Sequence, residues 1–252
     1  MKLSFSILII LLLLTYSRVL HGQTAKEYEE LADKYFTAAK HKKAAKTLEK
    51  AIALDKKNPD LYVKLAEIYS YSLNPDKFKD HQKITLTYNK AMELVNWYEP
   101  ALLSRANFHN TMSEYRDALD DLDSLLVRYK TNTDAYLLKA QIYYGKKDTA
   151  HGNAAYRTAL KNIPSKNFYE IYLDKARYEF RLNLYDNCIS DYLTTLKLMG
   201  GVRFYSYCEL SWAYLNINKT DSACYYYDLC HDGVRLNYKI DKDQLDKACS
   251  KK

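Results

Sequence analysis

Small residues recur along the chain at a nearly constant interval, and this internal repeat constrains the fold more than any other feature. The first column of small residues consists of Ala32, Ala66, Ala106, Ala140, Ala176 and Ser211. Their separation of about 34–40 residues is the period of repeated helical units. Two antiparallel helices approach closely only where their side chains are small, and one such pair cannot bury its apolar face unaided. The spacing therefore predicts helical hairpins stacked side by side.

Two further columns follow in the same register. Twelve residues after the first column, five of the six repeats have a small residue: Ala44, Ala118, Gly152, Cys188 and Ala223. Seven residues later the third column reads Ala51, Ala91, Leu125, Ala159, Thr195 and Cys230, with larger residues between the two columns. The second repeat carries about six extra residues around Ser72 to Lys77, which place Ile84 in the second column.

This signature resembles the tetratricopeptide repeat, a helix-turn-helix unit of about 34 residues. The first repeat matches it through Tyr28, Leu31, Ala32, Tyr35, Ala44, Leu48 and Ala51. The resemblance implies an all-α fold, a right-handed superhelical solenoid of about six units closed by a C-terminal capping helix. The third and fifth repeats depart from the pattern, because Arg105 and Lys175 replace a leucine and His109 and Glu179 replace a tyrosine. We therefore expect these two units to be irregular or twisted.

The N-terminus has the layout of a secretory signal peptide. Lys2 precedes an almost wholly apolar run, 5–14, and the small Gly22 follows a more polar stretch. The run is shorter than the roughly 20 residues that a membrane span needs. We expect an exported protein, periplasmic or secreted, without a stable membrane span after cleavage. The alternative is that an uncleaved N-terminal segment holds the protein at the inner membrane.

The expected organisation has three parts. Residues 1–22 form the signal peptide, 23–234 the solenoid, and 235–252 a C-terminal capping helix and tail. The expected units lie near 25–58, 59–98, 99–132, 133–168, 169–203 and 204–234.

The charge balance argues against a nucleic-acid binder. The chain has 38 Lys and Arg against 31 Asp and Glu, and removing 1–22 leaves a net charge of +5, since only Lys2 and Arg18 are lost. The excess is mild and spread along the chain, whereas nucleic-acid binding needs clustered Lys and Arg.

All five cysteines lie after residue 187. Cys188 and Cys230 fall in the small-residue columns, which predicts that they pack as small buried side chains. Cys249 on the cap could reach Cys224 or Cys230, so a disulfide within 188–249 is a hypothesis, and an odd number of cysteines leaves at least one free thiol. Cys224 and Cys230 are six residues apart on a helix and point in different directions, which argues against a shared metal ion.

No known catalytic motif is present. The sequence contains no GxSxG, HExxH, Walker or GxGxxG pattern. His41, His81 and His151 lie in polar helix turns and are predicted to be exposed, whereas His109 is predicted to pack in the core. We expect a non-catalytic protein with no catalytic residue, no cofactor and no metal site.

The resemblance implies that the first helix of each unit lines a concave groove. At the N-terminal end of the groove lie the acidic Glu29 and Asp33. They would repel the C-terminal carboxylate that the chaperone-binding members of the family clamp, which argues against that function. The next positions include Phe36, Glu67, Tyr71 and Asn107. The groove becomes basic and aromatic further on, and Trp, Tyr and Arg dominate binding hot spots. The candidate partner-binding residues are Tyr144, Leu173, Arg177, Phe180, Arg181, Tyr205, Cys208, Trp212 and Asn216.

These features favour a protein-interaction scaffold or adaptor of the cell envelope that binds a protein or peptide segment in the groove. The open alternative for the groove residues is that they pack unit five against unit six and the cap. The alternative function is a glycan-binding accessory protein, since the chain has 26 tyrosines that could stack on sugar rings.

Overall fold

The computed structural model describes residues 23–74, 76–162, 168–200, 206–230 and 240–250, and every regular element in these ranges is a helix. The helices are α1 Ala25–Thr37, α2 His41–Leu54, α3 Pro59–Ser72, α4 Phe78–Leu94, α5 Glu99–Thr111, α6 Tyr115–Arg128, α7 Thr133–Gly145, α8 Thr149–Asn162, α9 Phe168–Arg181, α10 Tyr185–Leu198, α11 Tyr207–Asn216, α12 Thr220–Asp228 and α13 Lys242–Cys249. The expected signal peptide lies outside the described residues.

The helices pair in sequence order as antiparallel hairpins. The chain divides into an N-terminal unit that ends at Arg128 and a C-terminal unit that begins at Tyr129. In the first unit α1 pairs with α2, α3 with α4 and α5 with α6, and each hairpin packs on the next. In the second, α7 pairs with α8, α9 with α10 and α11 with α12, and α13 packs on α12 as a cap. The predicted all-α fold of repeated hairpins is confirmed.

Five hairpins share one turn geometry. The turns place Ala39, Ser113, Lys147, Asn183 and Asn218 in the left-handed region, with φ between 56° and 62°. The amide of the following residue donates to the carbonyl five residues earlier; in the first hairpin this bond joins residues 40 and 35 over 2.8 Å. None of the described residues between α3 and α4 adopts this left-handed turn, and the extra residues of the second hairpin lengthen that connection.

Side-chain caps fix where several first helices begin. Thr24 and Glu27 form a capping box at α1, in which each side chain bonds the other residue's backbone amide. Asn58 and Asn132 accept hydrogen bonds from the amides of the first turns of α3 and α7. Asp241 caps α13 in the same way.

The small-residue columns form the contacts inside the hairpins. Every member of the first column has 0 % exposure, and so do Ala44, Ala118, Cys188 and Ala223 of the second. Ser211 Oγ joins the two columns directly by donating to the Ala223 carbonyl at 2.8 Å. Around these contacts pack Leu48, Tyr88, Leu122, Tyr156 and Tyr192, each at most 2 % exposed. Burying side chains of this size stabilises the fold by about 1.5–3 kcal/mol each.

The two departing repeats are regular, contrary to expectation. Both α5 and α9 are continuous helices, because each partly buried basic residue has an acidic partner on the second helix of the same hairpin. Arg105 lies 2.5 Å from Asp121, and Lys175 bonds Asp191. A paired charge in the core satisfies its hydrogen bonds without distorting the backbone.

Among the helices described, none is both long and apolar enough to cross a membrane.

Candidate functional site

The first helix of each hairpin carries the predicted binding residues. In each unit we call the surface of these helices its first-helix face: α1, α3 and α5 in the N-terminal unit, and α7, α9 and α11 in the C-terminal unit. Lys64 on α3 lies 2.7 Å from Glu29 and 3.0 Å from Asp33 on α1. Burial lowers the pKa of Lys64, but the two carboxylates outweigh this effect and raise it overall. The acidic start of the predicted groove is thus partly neutralised by a lysine of the next helix.

A cavity of about 330 Å³ opens on the first-helix face of the N-terminal unit. Ser104 on α5 donates to Glu67 on α3 at 2.7 Å, which joins the two walls. The ring of Tyr71 packs edge-on against Phe36 at 5.2 Å, yet the residue is 64 % exposed. The lining consists of Phe36, Glu67, Ser70, Tyr71, Tyr88, Ser104, Asn107, Phe108 and Thr111.

The candidate residues of the C-terminal unit fall into an exposed and a buried group. Arg177, Arg181 and Asn216 are exposed, and Leu173 is half-buried. Tyr144, Phe180, Cys208 and Trp212 are between 0 and 8 % exposed and belong to the core. Tyr205 lies outside the described residues. The candidate residues that remain accessible in this unit are therefore the exposed group and, in part, Leu173.

The two arginines define the chemistry of the exposed group. Arg177 and Arg181 are one helical turn apart on α9, so that both guanidinium groups leave the same face. The guanidinium carbon of Arg181 lies 4.3 Å from the centre of the Tyr178 ring, and its Nε donates to the Arg177 carbonyl at 3.3 Å. Arginine guanidinium groups are planar and pair with planar anions such as carboxylates.

Beneath this face lies a buried polar cluster. Glu179, which has 0 % exposure, lies 2.9 Å from both Lys175 Nζ and the Tyr144 hydroxyl. Burial raises the pKa of Glu179 to about 7 although the Lys175 ammonium opposes the shift, and the nearby Asp191 adds to it. The Glu179 side chain is enclosed, so it stabilises the contact between helices and does not face a ligand.

Four of the five cysteines form disulfides. Cys224 on α12 is bonded to Cys249 on α13, with 5.3 Å between Cα atoms, which confirms one of the two pairings considered for Cys249. Cys208 on α11 is bonded to Cys230, with 5.0 Å between Cα atoms. The prediction that Cys230 packs as a small buried side chain was therefore wrong, because a groove position on α11 faces the end of α12, where Cys230 is half-buried and disulfide-bonded. Cys188 is free and buried as expected.

An open cavity of about 690 Å³ lies between α2, α3 and α4, away from the predicted groove residues. It has an apolar floor that includes Ile52 and Leu65 and a rim that includes four lysines: Lys56, Lys79, Lys83 and Lys90. The Lys83 ammonium lies 4.0 Å from the centre of the Tyr69 ring. Sequence reasoning missed this surface. The available signal was the inserted segment before α4 together with Lys79, Lys83 and Lys90 at helical spacing along α4.

Comparisons with known proteins identify the fold. The sequence matches no protein-family model and no curated protein at a significant level. Among solved structures, the chain is similar to PilW, a type IV pilus biogenesis factor, with a TM-score of 0.68 and 15% identity over 87% of this chain and 98% of that chain. PilF of Pseudomonas aeruginosa gives a TM-score of 0.60 and 16% identity, over 80% of this chain and 88% of that chain.

A third similar structure is a tetratricopeptide repeat protein from Parabacteroides merdae ATCC 43184. Its TM-score is 0.52 and its identity 14%, over 91% of this chain and 98% of that chain. The chain thus has the tetratricopeptide-repeat fold, an all-α helical repeat solenoid.

Proposed function

We propose that this protein is an exported, non-catalytic scaffold or adaptor of the cell envelope, whose first-helix face binds a protein or peptide segment. The observation that carries the proposal is the pair of exposed arginines, Arg177 and Arg181, beside the half-buried Leu173 on α9. Arginine and an adjacent apolar surface together suit a segment that carries a carboxylate and an apolar anchor. The predicted partner is accordingly an acidic or carboxylate-bearing stretch of another protein.

The disulfides support the compartment in this proposal. Cys208–Cys230 and Cys224–Cys249 tie α11, α12 and α13 together. Disulfides form and persist in oxidising compartments such as the periplasm or the extracellular space, and they are rare in the cytosol. N-terminal sequencing of the native protein tests export. A mature chain that starts near residue 23 supports it, and an intact Met1 in a membrane fraction supports the alternative of an uncleaved anchor at the inner membrane.

Charge reversal on α9 tests the binding surface. We expect Arg177→Glu with Arg181→Glu to remove a partner that the unmodified protein retains from native envelope extract. The matched control reverses Arg157 and Lys161, which are also exposed and one helical turn apart, but lie on the second helix α8. Retention of the same partner by the α9 variant and its loss from the α8 variant would contradict the proposal. Trp212 is unsuitable for this test, because removing a buried tryptophan destabilises the core by about 3–5 kcal/mol.

A glycan-binding accessory role is the second candidate, and the exposed Tyr71 is the observation that favours it. Tyr71 borders the 330 Å³ cavity beside Phe36, and an exposed ring next to hydrogen-bonding groups such as Asn107 suits a sugar ring. A glycan array separates the two functions. Glycan binding that Tyr71→Ala abolishes and α9 charge reversal spares would favour the glycan role. Protein capture with the opposite dependence would favour the scaffold.

A further inference from the structure

Two histidines and a glutamate from three separate segments meet in the N-terminal unit. His81 lies in the first turn of α4, His109 in the last turn of α5, and Glu114 directly precedes α6. Glu114 Oε2 is 3.0 Å from His81 Nε2 and 2.6 Å from His109 Nδ1. All three candidate ligand atoms lie within 4.8 Å of one another. The expectation that His81 is exposed was wrong, because its ring turns inward to this cluster.

The surroundings hold the three side chains in place. The ring of Phe108 lies 5.2 Å from the ring of His81 and 5.7 Å from the ring of His109, measured between centres. The Glu114 amide donates to the His109 carbonyl at 2.8 Å, across a turn in which Ser113 has a φ of 61°. The same turn that closes the hairpin therefore sets Glu114 beside His109.

One side of the cluster is open to solvent. The side chain of His109 is 9% exposed, whereas those of His81 and Glu114 are 24% and 34% exposed. An ion could enter past His81 and Glu114, and a water molecule could complete its coordination from that side. The pattern of three protein ligands and one open position is typical of accessible zinc sites.

We propose that His81, His109 and Glu114 bind a divalent transition-metal ion of the zinc type. Two imidazole nitrogens and one carboxylate oxygen form a donor set that suits Zn²⁺ and related ions, and not Ca²⁺ or Mg²⁺, which prefer oxygen ligands. Ligand bonds of about 2.0–2.2 Å place tetrahedral donor atoms about 3.3 Å apart. The carboxylate oxygen must therefore withdraw by about 0.3 Å from His81 Nε2 and by about 0.7 Å from His109 Nδ1, which its partly exposed side chain permits.

The competing arrangement is a metal-free cluster in which Glu114 accepts hydrogen bonds from both rings. It uses the same atoms, but each histidine then keeps a proton where the metal would bind. Zinc binding must move these protons off the ligating nitrogens, so it competes directly with the hydrogen bonds to Glu114.

Titration of the chelator-treated, disulfide-bonded chain with zinc chloride, followed by calorimetry near neutral pH, tests the site. We expect one zinc ion per chain, and at least about tenfold weaker binding in Glu114→Gln and in His81→Ala, since each removes a direct ligand. His151→Ala is the matched control, because His151 also contacts a carboxylate, Asp148 at 2.8 Å, but is well exposed and belongs to no candidate metal cluster among the described residues. This control should bind zinc as the unmodified chain does.

Two outcomes would overturn the proposal. One is the absence of saturable zinc binding by the unmodified chain. The other is equal affinity in the unmodified chain and in Glu114→Gln and His81→Ala variants whose helical circular dichroism is unchanged. If Glu114→Gln loses its helical circular dichroism, the zinc affinity of His81→Ala is the test. His81 lies at the open rim, and its loss leaves the Glu114–His109 contact in place.

Discussion

Replacing Gly152 by alanine tests whether the columns of small residues set the spacing between helices. A Cβ atom at this position would lie 2.5 and 2.7 Å from two carbons of the Tyr144 ring. Ordinary carbon contacts need about 3.5–4.0 Å, so the ring would have to retreat by about 1 Å. It has little freedom to do so, because Tyr144 is 1% exposed and its hydroxyl lies 2.8 Å from Asn153 Oδ1 and 2.9 Å from Glu179 Oε1.

The expected net effect is a loss of about 2 kcal/mol in the free energy of unfolding. Overpacking a core costs about 1–3 kcal/mol, and displacing a buried hydroxyl from its partners adds about 1 kcal/mol. Replacing glycine by alanine in a helix stabilises the helix by about 1 kcal/mol, which offsets part of this loss. Urea unfolding monitored by circular dichroism measures the difference.

A second variant isolates the clash from other effects. In a Tyr144→Ala background the space beside Gly152 is empty, so Gly152→Ala should there be neutral or stabilising by up to about 1 kcal/mol. Stabilisation by Gly152→Ala in the otherwise unmodified chain would refute the reasoning, because it would show that the two helices have room for a larger residue at this contact.

Three further predictions concern the turns, the buried carboxylate and the cysteines. Lys147→Gly should stabilise the chain by about 1 kcal/mol, because glycine adopts a φ of 62° without strain, and Lys146→Gly, at a φ of −76°, should not. Since the pKa of Glu179 is raised to about 7, its stabilising contribution is complete below its usual value of 4.5 and is lost as the pH rises through 7. The free energy of unfolding should fall by at most about 3 kcal/mol over this pH range. Thermal melts of Glu179→Gln should show a weaker dependence on pH, and an equally steep dependence in the variant would contradict the assignment. Thiol titration of denatured, unreduced protein should find one reactive thiol, Cys188, whereas five would exclude both disulfides.

The fold could be predicted from the sequence because the features that define it are local and repeated. Ala32 and Ala44 must be small for the same physical reason as Ala176 and Cys188, so each repeat independently supports the others. The turn shared by five hairpins was harder to predict from the sequence. Ala39 and Lys147 are not residue types that signal a left-handed backbone, and only the spacing between helices forces them into it.

The polar residues in the core were harder to interpret. Arg105 and Lys175 look like defects when each repeat is compared with the family pattern, because their partners Asp121 and Asp191 lie on the other helix of the hairpin. The separation between base and acid along the chain is the same in both repeats, and this was the available signal. It is visible only when two departures from the pattern are considered together.

The candidate site was the least predictable part. Positions assigned to a groove by register alone ignore how far each helix rotates into its neighbours, and Phe180 and Trp212 proved to be core residues for this reason. The Cys208–Cys230 bond depends on a contact between α11 and the end of α12. The meeting of His81 with His109 likewise depends on the length of α4, which follows the inserted residues of the second hairpin.

Site-specific photo-crosslinking in the native cells tests the central claim that a partner protein lies on the first-helix face. A photoreactive residue replaces Arg177 on α9 or, in a parallel strain, Arg157 on α8; both side chains are exposed and belong to the C-terminal unit. We expect a discrete protein adduct from position 177 and none from position 157. An adduct from position 157 alone would place the partner on the second helices and contradict binding on the first-helix face.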